Sequence, residues 1–280
     1  MFKILSKKFL NSTVVQMEVL APLVANKAQA GQFIILRVDE NGERIPLTVA
    51  DCNKQTGAVT IIFQVVGSTT EILKHKNVGD NIADFVGPLG KQTETSDVKN
   101  AIVVGGGVGC AIAMPVAKKL FSLGANVTSI IGFRNKDLVI LENEFKNCSN
   151  NLFVMTDDGS YGRQGNVCVP LEEILKSGKK YDKIYAIGPL VMMKYVVLTA
   201  KKYNVPCIVS MNPIMIDGTG MCGCCRLNVD GKMKFACVDG PDFDGYQVDF
   251  DEMIQRNKMY GEFERKAHED TCNLFKKEVE

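Results

Sequence analysis

The sequence predicts an α/β plus all-β chain: an N-terminal antiparallel β-barrel over residues 1–97, a doubly wound parallel α/β domain over 98–212, and a small C-terminal lobe with helices over 213–280. Three observations predict it. Short runs rich in Val, Ile, Phe and Thr, separated by polar turns, fill the first third. Beyond Asn100, strand-like runs alternate with helical ones. Beyond Pro213 the chain turns glycine- and cysteine-rich, with Cys222, Cys224 and Cys225 crowded together.

In the first third, Thr13–Val19, Gln32–Val38, Ala58–Val66 and Asn81–Phe85 read as strands. Asn41-Gly42 is a hairpin signal and Gly79-Asp80 marks a turn. Strands at this spacing suit an antiparallel barrel, and the only helix expected here is a short one near Thr69–His75. In the second part, strands are expected at Ala101–Val104, Asn126–Phe133, Asn151–Met155, Lys183–Ile187 and Cys207–Met211. Helices are expected at Ala111–Leu123, Pro170–Ser177 and Val191–Tyr203. The tail ends in two polar helical stretches, Asp249–Lys258 and Glu262–Lys277.

Composition narrows the function. With 46% hydrophobic and 23% charged residues, the chain is of ordinary globular composition. A net charge of +1 gives no electrostatic reason to expect nucleic acid or an anionic membrane as partner. The N-terminus lacks the long apolar stretch of a secretory signal. The longest uncharged run, Ala101–Ala117, holds four glycines and a proline and is short for a membrane span, so a cytoplasmic location is expected. In a reducing cytosol, clustered cysteines favour metal or redox chemistry over disulfides. Cys52, Cys110, Cys148, Cys168 and Cys207 are scattered and read as small buried hydrophobes.

The segment Ile216 to Arg226 reads I-D-G-T-G-M-C-G-C-C-R, and Cys237 follows. Asp217, Cys222, Cys225 and Cys237 stand in the spacing D-x4-C-x2-C-x11-C. The plant-type [2Fe–2S] spacing is C-x4-C-x2-C with a distant fourth cysteine, so aspartate replaces only the first ligand. Gly218, Gly220 and Gly223 let the backbone wrap closely around a cluster. A zinc site is the alternative, but structural zinc usually takes two Cys-x-x-Cys knuckles and one is present. Unliganded thiols in a loop are the bland reading. Cys224 falls between ligand positions and is not counted.

A nicotinamide site is suggested by Val103–Pro115, V-V-G-G-G-V-G-C-A-I-A-M-P. A buried strand leads into Gly105, Gly106, Gly107, Val108 and Gly109 and then a helix, whose first amides favour a pyrophosphate. Cys110 stands where a G-x-G-x-x-G motif has its third glycine, and a ligand-free tight turn is the alternative. Two more glycine-containing loops follow strand ends, one with Asp157 and Asp158, the other with Gly188 and Pro189. Ligands of open parallel sheets bind beyond such ends. Arg134 and Asp137 after the second strand offer both signs of charge, so NAD and NADP both remain open.

Arg44, Pro46, Leu47 and Thr48 follow the hairpin signal, and an arginine with a nearby hydroxyl suits a flavin. A proline-containing edge strand or turn is the alternative. Gly67, Ser68, Thr69 and Thr70 make a second phosphate-loop candidate, or else an ordinary helix start.

In this order the segments resemble the ferredoxin–NADP reductase superfamily over nearly the whole chain. Within it the chain is similar to the electron-transfer subunit of dihydroorotate dehydrogenase. It is more similar still to the small subunit of NADH-dependent ferredoxin:NADP oxidoreductase, also called sulfide dehydrogenase. D-G-T-G-M-C-G-C-C-R and F-A-C-V-D-G-P-D-F-D-G, ending at Gly245, carry this likeness, since the dihydroorotate subunits have cysteine where Asp217 stands. The resemblance implies FAD in the barrel, lined by Arg44, Pro46, Leu47, Thr48, Gly67, Ser68, Thr69 and Thr70. It implies NAD(H) in the α/β domain and a [2Fe–2S] cluster in the tail. It also implies a larger, glutamate-synthase-like flavin and iron–sulfur partner subunit, with electrons bifurcated toward ferredoxin and NAD. One departure stands out: plant-type reductases have R-x-Y-[ST], whereas Pro46 occupies the tyrosine position and Thr48 comes one residue later. Aromatic stacking at that point and the role of the Thr48 hydroxyl are therefore open.

The expected function is an electron-transfer flavoprotein subunit, with the dihydroorotate subunit as alternative and a redox sensor as a reading from another class. No basic recognition helix supports a DNA-binding sensor. No catalytic acid or base is expected, because the cofactors carry the chemistry, and His75 and His268 receive no such role.

Overall fold

A computed structural model describes residues 1–277, with no side-chain description for 276 and 277. The first sheet is formed by β1 (Phe2–Phe9), β2 (Val14–Leu20), β3 (Phe33–Arg37), β4 (Arg44–Asn53), β5 (Ala58–Gln64), β6 (Asn81–Ile82) and β7 (Asp84–Leu89). Its order is β6-β1-β2-β5-β4-β3-β7, and every pairing is antiparallel. The edge strands β6 and β7 are separated only by Ala83, whose N–H donates to the Val38 carbonyl. The chain itself thus joins the two edges and curls the sheet into a barrel. Ile4, Val15, Met17, Ile34, Leu36, Ile61 and Phe63 fill the interior, each essentially without exposure.

Two helices belong to this part, α1 (Pro22–Lys27) and α2 (Ser68–His75). The expectation of a single helix is corrected by α1, whose Pro22 starts the helix with φ already set and no amide to satisfy. The sequence also left β1 and β4 unassigned. In β1 only Ile4 is fully buried, and lysines break the apolar alternation.

The second sheet holds β8 (Asn100–Gly106), β9 (Asn126–Phe133), β10 (Asn151–Thr156), β11 (Arg163–Gln164), β12 (Lys183–Ile187), β13 (Cys207–Ser210) and, after the hairpin described below, β16 (Asp242–Asp244). The order is β11-β10-β9-β8-β12-β13-β16, parallel throughout except for β16 against β13. Helices α3 (Gly109–Ser122), α4 (Glu142–Asn147), α5 (Cys168–Lys176) and α6 (Leu190–Lys202) cover it. β8 is buried on both faces: Ala101 and Val103 pack toward α3, while Ile102 and Val104 join the layer holding Leu171, Met193 and Val196. Strand order reverses at β8, with β9 on one side and β12 on the other. That places the topological switch point between the loops after β8 and β12.

The tail forms a hairpin of β14 (Arg226–Val229) and β15 (Lys232–Phe235), then β16, α7 (Phe250–Asn257) and α8 (Gly261–Lys277). No helix among the described residues is long and apolar enough to cross a membrane.

Candidate functional site: a nucleotide cleft and a cysteine loop on the barrel

A cavity of about 920 Å³ opens at the switch point. Its walls include Gly106, Gly107, Val108 and Gly109, with Asp157 from the loop after β10, and Gly188 and Pro189 after β12. Three separate loops named from the sequence thus meet in one space. Gly105 and Asp158 lie off the wall; the Asp158 carboxylate instead accepts from the amide and hydroxyl of Ser160.

Packing explains the glycines. A Cβ on Gly109 would stand 2.6 Å from Gly188 Cα and 2.7 Å from the Ile187 carbonyl, so the start of α3 can approach β12 only without a side chain. Gly107 adopts a left-handed φ of +55°, and the space over its missing Cβ is open. The cradle before α3 is therefore bare backbone facing a cavity, which fits a pyrophosphate. Cys110, at the third glycine position of the motif, is fully buried, and burial pushes its thiol well above the ordinary range. It is part of the packing beneath the loop.

The barrel closes the cleft with Asn11, Thr13, Gln64 and Val66, and the α/β part adds Arg134, Met192, Ser210 and Asn212. Sequence reasoning missed most of these. Polar residues just past strand ends carry no motif, and only their position beyond β5 or β13 could have marked them. Arg134 and Asp157 put one charge of each sign on the wall.

The four positions Arg44, Pro46, Leu47 and Thr48 lie on β4, outside this cavity. Residues Arg44 to Thr48 pair with β3, but β5 pairs with β4 only from Val49 onward. The first half of β4 is thus a local edge, and Pro46, which has no N–H, costs nothing on the unpaired side. Arg44 Nε donates to the Ile216 carbonyl at 2.9 Å, and its terminal nitrogens have no hydrogen-bond partner among the described residues. At the start of α2, the Thr70 hydroxyl accepts from the Gly67 and Val66 amides at 3.0 Å, so it caps the helix. Thr69 Oγ1 donates to Glu43, and Ser68 Oγ shares a hydrogen with Thr271 Oγ1 of α8 at 2.7 Å.

The cysteine loop lies beside β4. Gly218, Gly220 and Gly223 all have left-handed φ, and a Cβ on Gly218 would strike Leu89 and Ile35, so the loop rests directly on the barrel. Cys225 and Cys237 are buried with sulfurs 3.2 Å apart, and the Cys237 N–H points at the Cys225 sulfur. Cys222 is exposed. Asp217 Oδ2 accepts from the Thr219 amide and hydroxyl and from the Met221 amide, which fixes the turn and holds the carboxyl below its usual range. Backbone amides, that of Cys224 foremost, lower the Cys222 thiol. Burial, aided by the neighbouring Cys225, pushes Cys237 up to about 12. A carboxylate and two sulfurs on one glycine-rich loop, with the sulfur of Cys237 brought against Cys225 from beyond the β14–β15 hairpin, suit a metal–sulfur group, which would draw the proton off Cys237 on binding.

Residues 212–249 match the family model for the iron-sulfur cluster binding domain of dihydroorotate dehydrogenase B. A homologue of the dihydroorotate dehydrogenase B (NAD(+)) electron transfer subunit from Thermotoga maritima is 47% identical, over 89% of this chain and 88% of its own length. The electron transfer subunit from Streptococcus mutans is 33% identical over 86% of this chain and 98% of its own. A solved structure described as NADH-dependent reduced ferredoxin-NADP oxidoreductase, reported for flavin-based electron bifurcation, superposes with a TM-score of 0.90. Its identity is 44%, with 96% of this chain and 97% of that one covered. With these matches running nearly end to end, through barrel, switch-point sheet and cysteine loop alike, the chain belongs to the family of dihydroorotate dehydrogenase B electron transfer subunits and their homologues.

Proposed function

We propose that the chain is an electron-transfer flavoprotein subunit that moves electrons between NAD(P)H, FAD and a [2Fe–2S] cluster, within a heterodimeric, bifurcating NADH-dependent ferredoxin:NADP oxidoreductase. The observation that carries this reading is the Arg44–Ile216 bond, which ties the cysteine loop to the unpaired half of β4 on the same barrel whose Thr13 and Gln64 wall the switch-point cleft.

In this reading Gly106, Gly107, Val108, Gly109, Gly188, Pro189 and Asp157 hold the dinucleotide in the cleft, with Gly105 and Asp158 as supporting loop positions. Arg44, Pro46, Leu47 and Thr48 hold the flavin ring along the β4 edge, and Gly67 to Thr70 serve its phosphates. Asp217, Cys222, Cys225 and Cys237 hold the cluster. When bound, the flavin supplies the exchange between two-electron hydride and one-electron cluster chemistry. The residues contribute position. The Gly109–Gly188 contact fixes the α3 N-terminus toward the pyrophosphate, and the Arg44–Ile216 bond fixes the distance between the flavin strand and the cysteine loop. Each of the three parts, 1–97, 98–212 and 213–280, thus holds one cofactor.

The loop's buried sulfurs face inward, whereas Cys222 lies at the surface among Ile216, Met221 and Val238, which are 46%, 89% and 46% exposed. Apolar exposure around one end of the loop suits docking of a larger flavin and iron–sulfur subunit. Ferredoxin would be served through that complex, in the cytoplasm. Asp217 separates this reading from service to a dihydroorotate dehydrogenase, where the resembling subunits have cysteine.

Anaerobically purified chain should carry about one FAD and two irons, and its yellow-brown colour should bleach on adding NADH. Colourless protein free of flavin and iron would overturn the reading. Co-expression with a large glutamate-synthase-like flavoprotein subunit should give a stable complex; preferential assembly with a dihydroorotate dehydrogenase subunit would favour the second reading.

A further inference from the structure

The chain has only two histidines, and the fold brings both to one seam. On α2, Glu71 and His75 are one turn apart; on α8, His268 and Cys272 are one turn apart. The two helices pack together, with the His75 ring stacked on Phe275 at 3.8 Å between centroids. Between them, one carboxylate oxygen of Glu71, a ring nitrogen of His268 and the sulfur of Cys272 all lie within 4.8 Å of one another.

Two features of this cluster ask for a ligand. Glu71 is only 7% exposed and is the one carboxylate in the buried class among the described residues. Its Oε1 takes Lys74 Nζ at 2.8 Å, leaving Oε2 turned toward His268. His268 Nε2 is enclosed and has no hydrogen-bond partner among the described residues, since 3.7 Å to Glu71 Oε2 is too long for one. An imidazole nitrogen, a thiolate and a carboxylate are the ligand types of zinc, and three protein ligands leave a fourth position for water. Tetrahedral zinc with bonds of about 2.0–2.3 Å needs ligand atoms roughly 3.3–3.8 Å apart, so a closure of about 1 Å completes the site.

We propose that Glu71, His268 and Cys272 form a zinc site that pins α8 onto α2. Apolar packing does little of this work: along α8, Thr271 is the only buried residue among those whose side chains are described. A metal clamp would fix the helix register there. That register places Thr271, next to Cys272, on the Ser68 hydroxyl at the start of α2. The clamp therefore holds the C-terminal helix against the loop read above as the flavin phosphate loop, but the zinc site stands without that reading.

The test is metal analysis of the intact, cluster-loaded chain incubated with zinc chloride and passed through a mild chelator. The expected result is about one zinc per chain besides the iron, with X-ray absorption showing a single sulfur neighbour. The zinc should be lost in both His268→Ala and Cys272→Ser, with iron and FAD contents unchanged. Limited proteolysis of α8 in the native chain should be slowed by zinc and unaffected by it in Cys272→Ser. Absence of bound zinc, two or more sulfur neighbours, or zinc that survives both substitutions but disappears with Cys222→Ser would each overturn the proposal; the last two would put the metal among the cluster cysteines.

Discussion

Arg44 and Ile216 stand 172 positions apart in sequence, yet Arg44 Nε donates to the Ile216 carbonyl at 2.9 Å. The bond joins the unpaired half of β4 to the residue immediately before Asp217. One arginine thereby sets the spacing between the strand proposed to hold the flavin and the loop proposed to hold the cluster, and its terminal nitrogens have no hydrogen-bond partner among the described residues.

Arg44→Met keeps the length of the side chain and removes the donor. A hydrogen bond from a charged donor contributes roughly 1.5–3 kcal/mol, so FAD affinity of the flavin-stripped protein should fall on the order of 10- to 100-fold. Iron content should hold, because none of the four proposed cluster ligands is touched. Fluorescence titration with FAD measures the first and iron analysis the second. Unchanged FAD affinity would remove Arg44 from the flavin site.

Gly109→Ala tests the cleft. The added Cβ would meet Gly188 Cα at 2.6 Å, and both neighbours are backbone, so the α3 N-terminus must back away from β12. Overpacking of this kind costs about 1–3 kcal/mol. The KM for NADH in a ferricyanide reduction assay should rise about tenfold or more, with FAD and iron retained. Gly124→Ala is the control: unlike Gly109 it has a positive φ and open surroundings, and it lies just past the far end of α3, so its strain should leave KM unchanged.

Much of this was legible beforehand, for physical reasons that differ by region. Asn126–Phe133 and Lys183–Ile187 match their expected bounds, because a strand buried on both faces is a run rich in β-branched and apolar residues that stands out between polar turns. Pro46 in β4 is compatible in sequence with either an edge strand or a turn. The register, with β5 starting its pairing at Val49, decides for the free edge. The cysteine loop was readable from spacing alone. Its anchorage on Arg44 was not, since a side-chain bond to a backbone carbonyl leaves no trace in residue types. The Glu71–His268–Cys272 seam was equally silent, because its halves lie almost two hundred residues apart and meet only through the packing of α8 on α2.

The proposed cluster ligands make a graded prediction. Cys222→Ser, Cys225→Ser and Cys237→Ser should each lose most of the iron, whereas Cys224→Ser should keep it. Asp217→Cys should retain the cluster but shift its midpoint potential and electron paramagnetic resonance spectrum, because thiolate replaces a hard oxygen ligand. Asp217→Ala should also loosen the turn, since the Thr219 and Met221 amides lose their acceptor. A wild-type potential in Asp217→Cys would exclude the aspartate as a ligand, and iron loss in Cys224→Ser would require a different ligand set.

Asp242 gives a prediction for the pH dependence of stability. It opens β16, opposite Ser210 of β13, and its Oδ2 accepts from the Thr93 hydroxyl at 2.5 Å. Desolvation pushes its carboxyl above the usual range, outweighing the hydrogen bonds from Thr93 and Ser210. A carboxyl raised in the folded state holds its proton where the unfolded chain has already released it. Its contribution to stability is therefore greatest below the unfolded value, about 3.9, and declines as pH rises from there through the folded value. Asp242→Asn keeps an acceptor for Thr93 and has no proton to lose. The melting temperature of the variant relative to wild type should accordingly increase with pH across that window and then level off, leaving the variant at least as stable at neutral pH. Both proteins carry the same cluster, so its own acid sensitivity cancels in the difference. A difference that stays flat with pH, or that falls, would mean that the Asp242 charge is compensated in the folded chain and that Thr93 and Ser210 offset its desolvation.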